Sequence, residues 1–164
     1  MQRAIREGAD VDSFTLFVEN YQTMLRNGLV AVVGPDLAGD AVSEALLYCW
    51  QRWGQVREME NPAGYLWSVG RSKGRDLLRK RQRGERTRSL LPVVPSGSPP
   101  MVEPGLPAAL SRLSERQRVA VFLIHGYGWT HSEVSQFLGL SVSTVQKHAE
   151  RGLAKLQRVL GAQR

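Results

Sequence analysis

A chain of 164 residues that is 42% hydrophobic can bury a core as one domain or as two small ones, and it shows neither a signal peptide nor a long apolar run. The expectation is a soluble, cytoplasmic protein without membrane insertion; its one cysteine, Cys49, excludes an internal disulfide and a multi-cysteine zinc site, and reads as a small buried apolar residue. The formal net charge is +7, and the segment from Arg71 to Arg88, with nine bases against two acids, holds all of it, a placement that suits contact with a polyanion.

The first dozen residues are polar and predict a loose end. From Asp12, a candidate N-cap, Phe14, Phe17, Val18, Tyr21, Leu25, Gly28, Leu29 and Val32 recur at helical spacing until Gly34-Pro35 ends the pattern. A second helix is predicted from about Asp36 to Trp53, with Val42, Ala45, Leu46, Cys49, Trp50 and Trp53 on its apolar side. Asp40, Ser43 and Glu44 form a polar patch near its start, where acids are favoured by the helix dipole. Gly54 to Glu60 reads as a loop. Asn61 then caps a third helix with Pro62 at its first position. Leu66, Val69, Gly70 and Leu77 would pack inward, and Gly70 and Gly74 would permit close helix contact. Tyr65 fits core or surface equally; Trp67 is expected to be at least partly exposed. Rings beside a basic surface suit unpaired nucleic acid, since bases stack on the rings and the cations meet the backbone.

From Gly84 to Gly105 the periodicity is lost, and the prolines between Leu90 and Pro107 mark an extended linker. The predicted fold is therefore all-α: two small helical domains, 1–84 and 106–164, joined by a flexible proline-rich linker over 85–105.

After the linker, Leu106 to Leu113 is a short helical lead-in. Ser114 and Gln117 form a capping box ahead of Val119, Val121, Phe122 and Ile124, and Gly126-Tyr127-Gly128-Trp129 breaks that helix. A second capping box, Thr130 with Glu133, opens a helix burying Val134, Phe137 and Leu138. Gly139 sits at a sharp turn, and Ser141 caps the last helix. That helix turns Val142, Val145, Ala149, Leu153, Leu156 and Leu160 to one side. The other side presents Ser143, Thr144, Gln146, Lys147, Glu150 and Arg151, which can reach base edges and phosphates. This is the helix-turn-helix pattern, with small Ser135 at the helix crossing. An ordinary helical hairpin with a solvated outer face is the plainer alternative. His125, His131 and His148 show no metal-ligand or nucleophile spacing, so no catalytic residue, metal or cofactor is predicted.

These residues gather into a resemblance. Phe14-x-x-Phe17-Val18-x-x-Tyr21, Asp40-Ala41-Val42-Ser43-Glu44-Ala45-Leu46 and Asn61-Pro62-x-x-Tyr65-Leu66-x-x-Val69 with Arg75-Asp76-x-x-Arg79 are similar to region 2 of bacterial sigma factors of the extracytoplasmic-function group. Ala109-Leu110-x-x-Leu113-Ser114-x-Arg116-Gln117-Arg118, Gly128-Trp129-Thr130, Glu133-Val134, Leu138-Gly139-x-Ser141-x-Ser143-Thr144-Val145 and Arg151-Gly152-Leu153 resemble region 4. Ser43 and Ser72 depart from a usual glutamine and asparagine, Gly70 from alanine and Ala149 from leucine.

The resemblance implies a sigma factor that binds core RNA polymerase, recognises and melts promoter DNA and starts transcription, with no enzymatic activity of its own. It implies that Asp40, Ser43 and Glu44 dock on the polymerase β′ clamp helices, while the C-terminal domain meets the β flap. Asn61, Tyr65, Trp67, Arg71, Lys73, Arg75, Arg79 and Lys80 would serve minus-10 capture and melting. Ser141, Ser143, Thr144, Gln146, Lys147, His148 and Arg151 would serve the minus-35 element. An anti-sigma factor is a further implied partner. The alternative is a stand-alone helix-turn-helix regulator that does not join polymerase.

Overall fold

The computed structural model describes residues 2–88 and 105–162, with side chains described for 8–85 and 105–162. All regular structure among them is helical: α1 (Gln2–Val33), α2 (Pro35–Trp50), α3 (Trp53–Val56) and α4 (Pro62–Arg88), then α5 (Leu106–Ser111), α6 (Glu115–Val121), α7 (His131–Leu138) and α8 (Val142–Gly161). The linker expected over 85–105 is shortened at its front, since α4 runs on to Arg88, and residues 89–104 lie outside the described residues.

α1 begins far ahead of Asp12. Asp12 is an interior helical residue, and nearby Ser13 and Thr15 bond back to the carbonyls of Asp10 and Val11. The segment before it is rich in good helix formers, so no cap is needed there. Asp10 pairs with Arg57, and Ser13 accepts from the Trp53 indole at 2.8 Å, which ties this part of α1 to α3. Those contacts also explain why Trp53 is not the end of α2: it starts a separate short turn that turns its ring onto Phe14 and Phe17.

α1, α2 and α4 pack together around Leu25, Leu29, Ala38, Ala41, Ala45, Cys49 and Leu66. Gly70 and Gly74 do allow close contact, for a Cβ at either would stand 2.8 Å from Leu25 or 3.0 Å from Val33. Gly34, at φ 86°, makes the turn between α1 and α2 that an L side chain resists.

In the second half α6 and α8 pack closely, and α7 crosses α8. A π-helical turn, Phe122–Gly126, ends α6 and leads to Gly128 at φ 75°. The two halves do not keep separate cores. One buried cluster runs from Leu25, Leu66 and Trp67 into Val119, Leu123, Val134, Phe137 and Val145. A smaller cluster of Ala109, Leu113, Val121 and Leu156 closes the far side of the second half.

Candidate nucleic-acid interface

The helix-turn-helix is built by local chemistry. Thr130 Oγ1 accepts from the Glu133 backbone N–H at 3.2 Å, and the Glu133 carboxylate accepts from the Thr130 N–H at 2.8 Å and from its hydroxyl at 2.7 Å. Those bonds hold the Glu133 carboxyl below its ordinary range. Gly139, at φ 65°, terminates α7, and Ser135 Oγ donates to the Leu140 carbonyl at 2.8 Å across the turn. Ser141 Oγ then caps α8 by accepting from the Thr144 N–H at 3.2 Å. Val145, Ala149, Gly152 and Leu156 form the buried side of α8.

The opposite side of α8 is open. Ser141, Ser143, Gln146, Lys147, Glu150 and Arg151 are exposed, whereas Thr144 and His148 are half-buried. The hydroxyls of Ser141 and Thr144 lie 2.7 Å apart and are partly taken up by the cap. His148 is pushed below its ordinary pKa by burial and by Arg116 and Arg151, so it sits neutral among cations at pH 7. Val142, expected on the apolar side, is 46% exposed. It stands at the edge of the stripe centred on Val145 and Ala149, in the first turn.

The N-terminal candidates are distributed differently. Asn61 caps α4 as expected, accepting from the Gly64 N–H at 2.9 Å, while its amide donates to the Gln136 carbonyl of α7 at 2.8 Å. Trp67 is 7% exposed rather than open. Its ring lies against Gly28 of α1 and 5.5 Å, centroid to centroid, from Phe137 of α7. Tyr65 is half-buried, and burial with a hydrogen bond to Tyr48 raises its phenol pKa.

Among the described side chains of α4, Arg71, Lys73, Arg75, Arg79 and Arg81 meet acids. Glu115 of α6 receives Arg75 at 2.7 Å and Arg71 at 3.5 Å. Lys73 stands 3.7 Å from Glu44 and over the Tyr48 ring, Arg79 pairs with Asp76, and Arg81 reaches Asp36 and Glu85. Lys80 is exposed. Arg71 and Arg75 therefore meet a carboxylate of the second half, and the excess charge of α4 is not one uniform open surface. Asp40 and Ser43 are exposed on α2; Glu44 beside them is half-buried.

Sequence reasoning missed Glu115, Arg118 and Phe137 as contacts between the halves. Arg118 donates to the Ala31 carbonyl of α1. Nothing local distinguishes such residues, because their partners are distant in the chain. A pocket of about 180 Å³ between the halves is lined by Trp67, Ser68, Arg71, Glu115 and Arg116, among others.

Residues 105–156 match the family model for sigma-70, region 4, which covers α5 to α7 and most of α8. The RNA polymerase sigma factor CarQ of Myxococcus xanthus is 27% identical over 144 residues, spanning 84% of this chain and 79% of that protein. The chain is similar to an RNA polymerase sigma factor over most of its length, and its second half matches sigma-70, region 4. Its fold is shared with two solved structures. The sigma factor RpoE, in complex with the anti-sigma factor NepR from Bartonella quintana, superposes with a TM-score of 0.60 at 22% identity, covering 93% of this chain and 99% of that one. CnrH, in complex with the cytosolic domain of CnrY, gives 0.56 at 22% identity, covering 92% and 89%. The open face of α8 lies within the segment that matches region 4. No helix among the described residues is long and apolar enough to cross a membrane.

Proposed function

We propose that this chain joins core RNA polymerase and directs it to promoters, with α8 entering the major groove at the minus-35 element. The observation that carries this reading is the two-sided character of α8 within region 4: Val145, Ala149, Gly152 and Leu156 face the core while Ser143, Gln146, Lys147 and Arg151 are free to meet a duplex. Similarity to a sigma factor across both halves of the chain favours this over a regulator using region 4 alone. Asp40, Ser43 and Glu44 remain the candidates for the polymerase clamp, and Arg79 and Lys80 those for phosphates of the separated strands. Trp67 is buried against region 4 and the halves must part before it could meet DNA, while Asn61, Arg71 and Arg75 would exchange their bonds to region 4 for DNA. A protein that grips one surface of each half could hold them closed, and a solved structure of the same fold contains the anti-sigma factor NepR; an anti-sigma partner is proposed here too.

The test is a tagged chain expressed in its own cell. The polymerase β and β′ subunits are expected to co-purify, and the reconstituted holoenzyme is expected to start transcripts at discrete sites in run-off assays on genomic DNA. Tight duplex binding without either subunit would establish the stand-alone regulator instead.

A further inference from the structure

Glu150 is an acid in the middle of a face that is to meet a polyanion, flanked by Lys147 and Arg151. Phosphates repel it, so its place there asks for a reason beyond charge. In the structure its Oε1 accepts from Nε2 of Gln146 at 2.8 Å, one helical turn away. Both side chains are exposed on the outer side of α8. An ionised carboxylate offers acceptors only, so the amide nitrogen, not the oxygen, must face it; the usual ambiguity between the two ends of a glutamine amide is removed by chemistry. When Glu150 takes the amide hydrogen that points away from the carbonyl, the other N–H and the carbonyl oxygen of Gln146 stand side by side.

That pair is the complement of one base edge. Adenine presents a donor at N6 and an acceptor at N7 in the major groove, and a glutamine amide meets both at once. Guanine presents two acceptors, which would oppose the amide oxygen, and cytosine offers a donor alone. A glutamine without a tether would also have to give up rotamer freedom to make the bidentate contact; here Glu150 restrains it beforehand.

We propose that Gln146 reads an adenine in the duplex bound by α8, and that Glu150 is the positioning residue that orients its amide. The inference rests on the reading of α8 as the groove helix. It is tested with holoenzyme assembled from the full chain and core polymerase, by selection from randomised duplexes at fixed salt. Competition against versions of the selected duplex changed at single base pairs then measures each preference. The wild type is expected to prefer adenine at one position by about five- to a hundred-fold, the range of a good bidentate contact. Gln146→Ala is expected to abolish the preference at that position alone. Glu150→Ala is expected to weaken it at the same position even as total affinity rises with the loss of an acid, whereas Glu150→Gln, whose amide oxygen still accepts, retains most of it.

A profile unchanged by Gln146→Ala overturns the inference while leaving promoter recognition intact. So does a Glu150→Ala variant that shifts affinity uniformly and keeps the full adenine preference, which would make Glu150 a charge and nothing more. A wild-type holoenzyme that selects no duplex sinks the groove-helix reading and this inference together.

Discussion

Where α8 crosses α6, a Cβ on Gly152 would lie 2.6 Å from a methyl of Val121 and 3.2 Å from the backbone oxygen of Gln117. A side chain could yield, but the backbone of a packed helix yields little. Gly152→Ala should therefore cost about 1–3 kcal/mol of overpacking, against about 1 kcal/mol regained in helix propensity. Denaturant unfolding checks this, and a variant more stable than the wild type would contradict the contact. Cys49 shows burial acting on chemistry: its thiol is pushed up to about 11, mainly by desolvation, and so stays protonated at neutral pH. Composition suggested the same inert role. Trp67 and Val142 were less legible. A tryptophan next to Leu66 can lie against another helix or in water, and only the presence of Phe137 and Gly28 decides it. Val142 lies at the edge of an apolar stripe, where periodicity cannot say which way a residue falls.

Helix ends followed the sequence best, because a cap is made by residues three or four apart. Both capping boxes, the Asn61 and Ser141 caps and the turn at Gly139 were readable from side chains alone. Asp12 failed as a cap because the chain before it already favours helix, and the end of α2 was misjudged because Trp53 is placed by α1. Thr130→Ala should destabilise the chain by about 1 kcal/mol near neutral pH through loss of the hydroxyl that caps α7. The pH dependence has a definite sign. Glu133 has a lowered folded pKa, so its part of the box is present above the ordinary carboxyl pKa and is lost as pH falls through the lowered one. The difference between wild type and Thr130→Ala, followed by urea unfolding at several pH values, should narrow toward acid. A gap that widened as pH fell would mean the carboxylate is not part of the cap.

At the scale of the whole molecule, the relevant comparison is between charge and burial at the contact of the two halves. The Arg71 and Arg75 pairs with Glu115 are partly exposed, and exposed pairs contribute about 0–1 kcal/mol each. Phe137 is buried against Trp67, and stripping such a ring costs about 3–5 kcal/mol. Phe137→Ala should therefore expand the free chain in small-angle scattering far more than Glu115→Gln does, with helix content by circular dichroism showing whether the second half stays folded. The opposite order would show that ion pairs hold the halves together. Two helical halves were legible in the sequence; their closed packing was not, since it depends on surfaces that meet only after each half has formed.

Trp67 gives the molecule its own optical gauge. Trp53 is fixed to Ser13 within the first half and should emit alike whether the halves touch or part. Trp67 moves from a dry contact into water on separation, so with Trp50 and Trp129 replaced by phenylalanine its emission should redden in step with the opening. Polymerase, or any protein that clamps the chain shut, could then be followed by the light of a residue already in place.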